Sequence, residues 1–158
     1  MRRRALLTIP LAVTLAAATG CSLFTKDPAG ATIQVSAMNY SVAGSQGGTI
    51  YTLRGTELEV LTKPRQGSTT PTSTTKQIST DQRAEVDRLT RKVLAEPKER
   101  GMCSDSPITS VRVHWPNGPT EDRSVTHCGG TPAGSAIIEL ATHLARLCQG
   151  PLVSDRRR

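Results

Sequence analysis

The sequence predicts an α+β domain, a two-layer sandwich in which an antiparallel sheet of about five strands carries two helices on one face. Segments with strand-like alternation occur in pairs around turn residues, and two longer segments have helical periodicity. Aromatic residues make up only 3% of the chain, so the core must be aliphatic. Each element has a single apolar face, and placing both helices on one side of the sheet buries all of these faces together.

The first strand is predicted at 31–37, where Ile33, Val35 and Ala37 alternate with polar residues. Residues 39–48 are rich in glycine and serine, which predicts a flexible connection. A hairpin follows, with strands at 49–53 and 57–62. The tight turn Arg54-Gly55-Thr56 joins these two strands, and the alternation of their residues predicts that one face of the hairpin is exposed to solvent.

Residues 63–77 are rich in serine and threonine and almost lack apolar side chains, so we expect a mobile loop inside the domain. Its composition favours a solvated spacer, which could carry O-linked sugars in an exported protein. The alternative is a loop that contacts a partner, because long loops inside small domains are often functional.

The first helix is predicted at 79–96. Ser79 and Gln82 have the spacing of a capping box, and Val86, Leu89 and Val93 form one apolar stripe. Pro97 ends the helix.

A second hairpin is predicted from strands at 108–115 and 123–127 around a proline- and glycine-rich turn. The last helix opens either at Thr131-Pro132 or at Ser135, and Gly150-Pro151 ends it. The single domain thus occupies 31–150, and residues 151–158 are expected to be a disordered basic tail.

The amino terminus has the pattern of an export signal. Arg2, Arg3 and Arg4 precede an apolar run at 5–18, and this run of about 14 residues is shorter than the roughly 20 that a membrane-spanning helix needs. Ala18-Thr19-Gly20-Cys21 then resembles the lipobox of bacterial lipoproteins.

The lipoprotein resemblance implies that residues 1–20 are a signal peptide, that Cys21 becomes the lipid-bearing amino terminus, and that 21–30 form a flexible tether. Two or three acyl chains anchor a protein durably, at about 0.8 kcal/mol per buried methylene. The expected location is the extracytoplasmic face of the cell membrane. The alternative is an ordinary secretory signal that leaves Cys21 free.

The formal charge of +7 falls to +4 when Arg2, Arg3 and Arg4 are removed by cleavage of the predicted signal peptide. The remaining excess lies largely in the basic tail at 156–158, so the charge gives little support for a nucleic-acid partner. We expect a monomer without a cofactor.

Three cysteines remain beside Cys21, and an exported chain is expected to form one disulfide among them. All three pairings of Cys103, Cys128 and Cys148 are formally open. Cys103 enters the second hairpin and Cys128 leaves it, which places both at one end. Cys148 lies a helix length away, about 20 Å. The predicted disulfide is therefore Cys103 with Cys128, and Cys148 is expected to be a small buried residue.

Residue patterns for chemistry are weak. The three histidines, His114, His127 and His143, are too widely spaced to predict a metal site. The chain lacks a nucleophile elbow, a phosphate loop and a dinucleotide fingerprint. Carboxylate pairs such as Glu57 with Glu59 fit an exposed strand face. No catalytic residue is predicted.

The element order, together with Gly47-Gly48 before Thr49-Ile50-Tyr51, resembles the emfourin-type inhibitors of bacterial metalloproteases. This resemblance implies a domain that binds a protease and is not itself an enzyme. It transfers no individual inhibitory residue.

These observations together predict a lipid-anchored, extracytoplasmic protein that acts as a binding or accessory domain, with protease inhibition as one specific version. The rival class is a hydrolase acting on envelope polymers through surface carboxylates. A third interpretation is a passive structural lipoprotein.

Overall fold

The computed structural model describes residues 27–41, 44–64, 70–100, 103, 106–128 and 135–149. In chain order the elements are β1 (Thr32–Ser41), β2 (Gly44–Arg54), β3 (Glu57–Lys63), β4 (Thr72–Gln77), α1 (Thr80–Ala95), β5 (Glu99–Arg100), β6 (Ile108–His114), β7 (Thr120–Thr126) and α2 (Ala136–Gln149).

The strands form one sheet in the order β4-β3-β2-β1-β6-β7-β5. Six of them are antiparallel to their neighbours, and the two-residue β5 adds a short parallel pair beside β7. The predicted α+β class, with an antiparallel sheet and two helices, is confirmed. The strand number is higher than the five predicted.

The core lies between the helices and one face of the sheet. Registers Ile33↔Leu53 and Ile33↔Val113 place these three side chains in one row across the central strands. All three are fully buried, as are Leu140 and Leu144 of α2. The alternation of apolar and polar residues in β1 and β6 therefore directs one face to the helices, as period-two patterning requires.

Both helices begin at defined caps. Ser79 and Gln82 form the predicted capping box at the start of α1. Ser135 directly precedes α2, in agreement with the later of the two predicted starts. The first amide of α2 donates instead to Glu96, whose Oε1 lies 2.8 Å from the nitrogen of Ala136. The carboxylate of Glu96, at the end of α1, thus caps α2. Its negative charge is also favourable there, because the helix dipole places partial positive charge at the amino terminus of α2.

Two predicted loops are partly strand. The connection expected at 39–48 is wrong for its described residues, because β1 continues to Ser41 and β2 begins at Gly44. The extended parts of β1 and β2 are held together by backbone pairing. Glycine is needed at position 48, because a Cβ there would collide with the carbonyl oxygen of Ala37 and with the Met38 side chain. The register shifts between Met38 and Tyr40.

The loop expected at 63–77 is wrong over its second half. Residues 72–77 form β4, which pairs with β3 from Glu57↔Gln77 to Thr62↔Thr72. Threonine is favourable in strands because its branched side chain suits a pleated surface. The strand therefore forms through backbone pairing although every residue in it is exposed.

The tether expected at 21–30 is also revised, because its last residues, 27–30, lie against the domain. Ala31 N donates to the carbonyl of Pro28 in a tight turn, and Arg83 contacts the same carbonyl. Residues 21–26, the signal peptide and the tail at 151–158 lie outside the described residues. Within the described part of the chain, no helix is long and apolar enough to cross a membrane.

Candidate binding surface

The sheet extends beyond the helices on the side of β3 and β4, and we call these two strands the wing. In β3 the side chain of Leu58 is fully buried, whereas its other residues are half-buried or exposed, and all of β4 is exposed. Helix α2 meets the wing at its last turn, where Lys76 Nζ donates to the carbonyl of Leu147 at 2.6 Å. The wing is therefore held by strand pairing more than by core packing.

Half-buried apolar side chains lie on both faces of the wing and the adjoining β2. Tyr51 and Val60 are directly opposite each other on the helix side, and Ile50 and Leu61 form the next pair on the other side. Tyr51 and Val60 pack against the core. The wing thus offers moderately apolar surface on each side of a sheet edge, which is common where another segment docks.

The edge itself belongs to β4, the terminal strand of the sheet. Just beyond the paired residues, Ile78 N donates to the carbonyl of Thr56 at 2.9 Å. Residues of an antiparallel strand alternate between bonding to the partner and bonding outward. Thr74 and Lys76 therefore bond toward β3. The outward backbone groups belong to Ser73, Thr75 and Gln77.

Natural proteins often guard such an edge with a lysine, a proline or a bulge. The charged residue of β4 is Lys76, and its side chain folds toward α2 and binds Leu147. The side chains of Ser73 and Gln77 contact Glu59 and Thr56 across the wing. The β3 to β4 register is continuous over six pairs, without a bulge. The edge is thus regular and lightly guarded.

Two ionisable groups beside the wing, Cys148 and Tyr51, hold their protons more tightly than usual because their pKa values are raised. Burial raises the pKa of the Cys148 thiol, and nearby Lys76 opposes that shift only in part. Burial, followed by the neighbouring Cys148, raises the pKa of Tyr51. Since the thiolate is the reactive form of cysteine, Cys148 is suited to packing and not to attack on a substrate.

A concavity of about 380 Å³ lies at the opposite end of the sheet from the β2–β3 turn. His127 Nε2 and Thr109 Oγ1 are 2.9 Å apart at its wall, and Gly48 and Met38 also line it. A histidine with one hydroxyl partner lacks the third group that orients a general base in catalytic triads. This cleft therefore gives weaker support for a function than the wing does.

The structure brings together one predicted pair of residues. Cys103 and Cys128 form the predicted disulfide, with their Cα atoms 5.8 Å apart. Cys148 is free, packs against the core and is half-buried, less than predicted. Cys21, predicted to bear lipid, lies outside the described residues.

The histidines do not converge. His114 is exposed on β6, as predicted, with Nδ1 2.9 Å from Thr120 Oγ1. His143 was expected on a helix surface, but its Nε2 is buried. Within the described ranges, no group of three or more His, Cys, Asp or Glu side chains is placed to hold a metal ion.

Comparison with known proteins adds no relative: the chain matches no protein-family model and no curated protein.

Sequence reasoning missed β4 and therefore missed the edge. The available signal was the run of β-branched residues at 72–75 after Pro71, since a proline is tolerated next to an edge strand. Low hydrophobicity outweighed that signal in the prediction.

Proposed function

We propose that the chain is a lipid-anchored extracytoplasmic protein that acts by binding another protein, and that the partner adds an extended segment to β4. The observation that carries this proposal is the open, regular edge whose outward backbone groups belong to Ser73, Thr75 and Gln77. A strand added there gains main-chain hydrogen bonds along its length, which is a recurrent mode of peptide recognition.

The wing supports this mode in a second way. A segment paired with β4 would lie one strand away from half-buried Val60 and Leu61, which sit on opposite faces of the sheet. Alternate side chains of the added strand would lie on opposite faces, next to the exposed side chains of β4. The chemistry expected of the partner is an extended segment with β-branched or aromatic residues.

The anchor belongs to the same proposal. Its support is the signal pattern and the small residues before Cys21. Intact mass of the protein purified from membranes tests it. Loss of the signal, addition of acyl mass and a shift of two hydrogens on reduction are the expected result. An unmodified chain would remove the anchor from the proposal.

Site-specific photo-crosslinking tests the binding surface. A photoreactive residue at Ser73, exposed on β4, is expected to capture a defined protein in intact membranes. The matched control is Ala84, which is exposed on α1 and outside the sheet edge. The supporting result is a product from position 73, absent at 84, that a second substitution, Thr75→Pro, abolishes while the variant stays folded.

Two results would overturn the binding proposal. One is equal crosslinking at positions 73 and 84, and the other is capture from position 73 that survives the added Thr75→Pro substitution. The narrower prediction of protease inhibition is tested separately, by adding the purified domain to secreted bacterial metalloproteases and measuring peptide hydrolysis with and without the same variant.

A further inference from the structure

The first described residues are fixed to the domain by a buried arginine. Arg83 Nη2 donates to the carbonyls of Pro28, at 3.2 Å, and Ala31, at 3.0 Å. Its Nη1 binds the carbonyl of Gly55 in the β2–β3 turn, and its Nε pairs with Asp87. Arg83 thus ties the incoming chain to one end of the sheet.

Asp27, one residue earlier, is held at the same end. Trp115 Nε1 donates to its carbonyl at 2.8 Å, and its carboxylate lies 3.1 Å from Arg91 Nη1 and accepts from Ala29 N. Three different parts of the chain therefore fix the point where the domain begins.

That point limits how far the domain can lie from a lipid on Cys21. Six peptide links join Cys21 to Asp27, and at 3.3–3.6 Å per residue they reach at most about 20 Å in any conformation. This is shorter than the long dimension of the domain, since a ten-residue strand such as β1 alone spans roughly 33 Å. A lipid on Cys21 would therefore keep the end that carries Asp27 within about 20 Å of the membrane, while the opposite end can lie farther away.

The β6–β7 turn lies at this end, because Trp115 contacts Asp27 directly. Residues 116–119 are exposed and uncharged, and with Trp115 and Asp27 they surround a shallow, mainly apolar cleft of about 490 Å³. Tryptophan is enriched at the interface between lipid headgroups and acyl chains. Its indole N–H already donates to a protein carbonyl, so the ring can move into a less polar layer without leaving a hydrogen-bond donor unsatisfied.

The acidic side chains around this turn each have an arginine partner. Asp27 pairs with Arg91, Glu121 with Arg123 and Asp122 with Arg112, at 2.8–3.2 Å. Repulsion by anionic headgroups is reduced when negative charges are neutralised locally.

We infer that the β6–β7 turn, residues 115–119, is a membrane contact that seats in the headgroup layer and orients the domain on its anchor. This inference rests on the proposed lipid at Cys21. The occupant of the cleft is the lipid surface itself. The end with the disulfide then faces away from the membrane, and β4 lies along the side.

The chain contains one tryptophan, Trp115, which makes the contact directly measurable. The full, lipid-bearing protein is reconstituted in vesicles of phosphatidylethanolamine and phosphatidylglycerol. Quenching of its fluorescence by lipids that carry a nitroxide at the headgroup or high on the acyl chain is compared with quenching by acrylamide in the water. We expect loss of about half of the emission to the lipid quenchers and protection from acrylamide, as for an interfacial indole. The Cys21→Ser protein, mixed with the same vesicles, gives the aqueous reference.

A matched pair of variants tests the orientation. The chain has two asparagines, one in the turn, Asn117, and one exposed at the other end of the sheet, Asn39. Asn117→Glu places an uncompensated charge in the contact and is expected to remove most of the lipid quenching. Asn39→Glu is expected to leave it unchanged.

The outcomes separate the contact from the anchor. If the protein carries acyl chains and floats with vesicles, yet Trp115 is quenched by acrylamide as in Cys21→Ser, the contact is disproved and the anchor stands. Equal effects of the two asparagine variants would also disprove it. If the intact mass shows no lipid, the anchor fails first, and with it the premise of the inference.

Discussion

The part of the sheet beneath the helices and the wing are built from the same kind of pairing but differ in what covers them. In β1 and β6, Ile33, Val35, Val111 and Val113 are at most 1% exposed, whereas in β4 every residue is exposed. Both regions keep continuous antiparallel registers. The wing therefore depends mainly on strand pairing, with Leu58 as its fully buried side chain, whereas the covered half is stabilised mainly by packing.

This difference separates stability from recognition. Burial of apolar surface provides most of the free energy of folding, at about 25 cal/mol per Å². A strand that contributes little burial can exchange its solvent contacts for a partner at little cost to the fold. Variants in the two regions should accordingly differ in size and kind.

The largest effect is expected in the covered half. Leu140→Ala removes a fully buried side chain at the interface of α2 with the sheet and should lower the free energy of unfolding by about 2–5 kcal/mol. Val60→Ala in the wing, where the side chain is half-buried, should cost about 1 kcal/mol or less. Denaturant titration with an unchanged m-value measures both. Equal losses would show that the wing is part of the core.

The disulfide between Cys103 and Cys128 adds stability at the end of the sheet opposite the β2–β3 turn. Replacing Cys103 and Cys128 by serine opens a link between residues 25 apart and should cost about 3 kcal/mol. Cys148→Ser, at the margin of the wing, is the matched control and should cost about 1 kcal/mol or less because the side chain is half-buried. Thermal unfolding in oxidising buffer tests the pair. A larger loss in Cys148→Ser would contradict the assignment of stability to the disulfide end.

A pair of neighbouring prolines tests the edge. Thr74→Pro removes an amide that bonds to β3 and should destabilise the wing by roughly 1–3 kcal/mol. Thr75→Pro removes an outward amide and should cost at most about 1 kcal/mol, since proline is tolerated on edges. Hydrogen exchange of the β3 amides reports the difference residue by residue. The reverse order would place Thr75 among the inward-bonding residues and remove the basis of the proposed binding mode.

The smallest effect is electrostatic. Burial raises the pKa of Cys148, so its alkylation by iodoacetamide should stay slow at neutral pH and rise with pH through a midpoint above that of an ordinary thiol. Lys76 lowers this pKa, and Lys76→Ala should therefore move the midpoint to higher pH. Lys63→Ala, on exposed Lys63 at the end of β3, is the control and should not move it. A shift of the Lys76→Ala midpoint to lower pH would contradict the assigned cause.

The same titration has a defined sign for stability. The folded chain holds the Cys148 proton more tightly than the unfolded chain, so the unfolded thiol ionises first as the pH rises. The free energy of unfolding should thus decrease above the unfolded thiol's pKa. The thiol contributes no such dependence at acid pH.

Hydrophobic periodicity predicted the elements of the covered half well, because the apolar residues of those elements are the ones that become buried. The stripe of Val86, Leu89 and Val93 and the alternation of Ile33 and Val35 each encode a face, and both faces are buried as expected. The capping box of Ser79 and Gln82 is local, so sequence spacing was sufficient to find it. The disulfide followed from the ends of one hairpin.

The wing could not be predicted in this way because its residues are not buried. Thr72 to Gln77 form a strand only because β3 offers a paired edge, and that partner is set by the fold. The contacts of Arg83 and Trp115 with residues 27–31 join positions more than 50 apart. Nothing in the local pattern of a polar, proline-containing segment indicates such distant acceptors.

The contacts of Arg83, Arg91 and Trp115 that fix residues 27–31 also have a mechanical consequence. With the proposed lipid on Cys21, the chain that comes from the membrane would enter β1, which is the central strand and is bonded on both sides by β2 and β6. Tension between the membrane and a protein held at β4 would run from β1 through β2 and β3 along three consecutive ladders. The load would be shared by rows of hydrogen bonds instead of peeling one strand from an edge, and resistance to such a pull is governed by the unfolding rate. An anchor joined to the central strand would thus distribute the pulling force over the whole sheet.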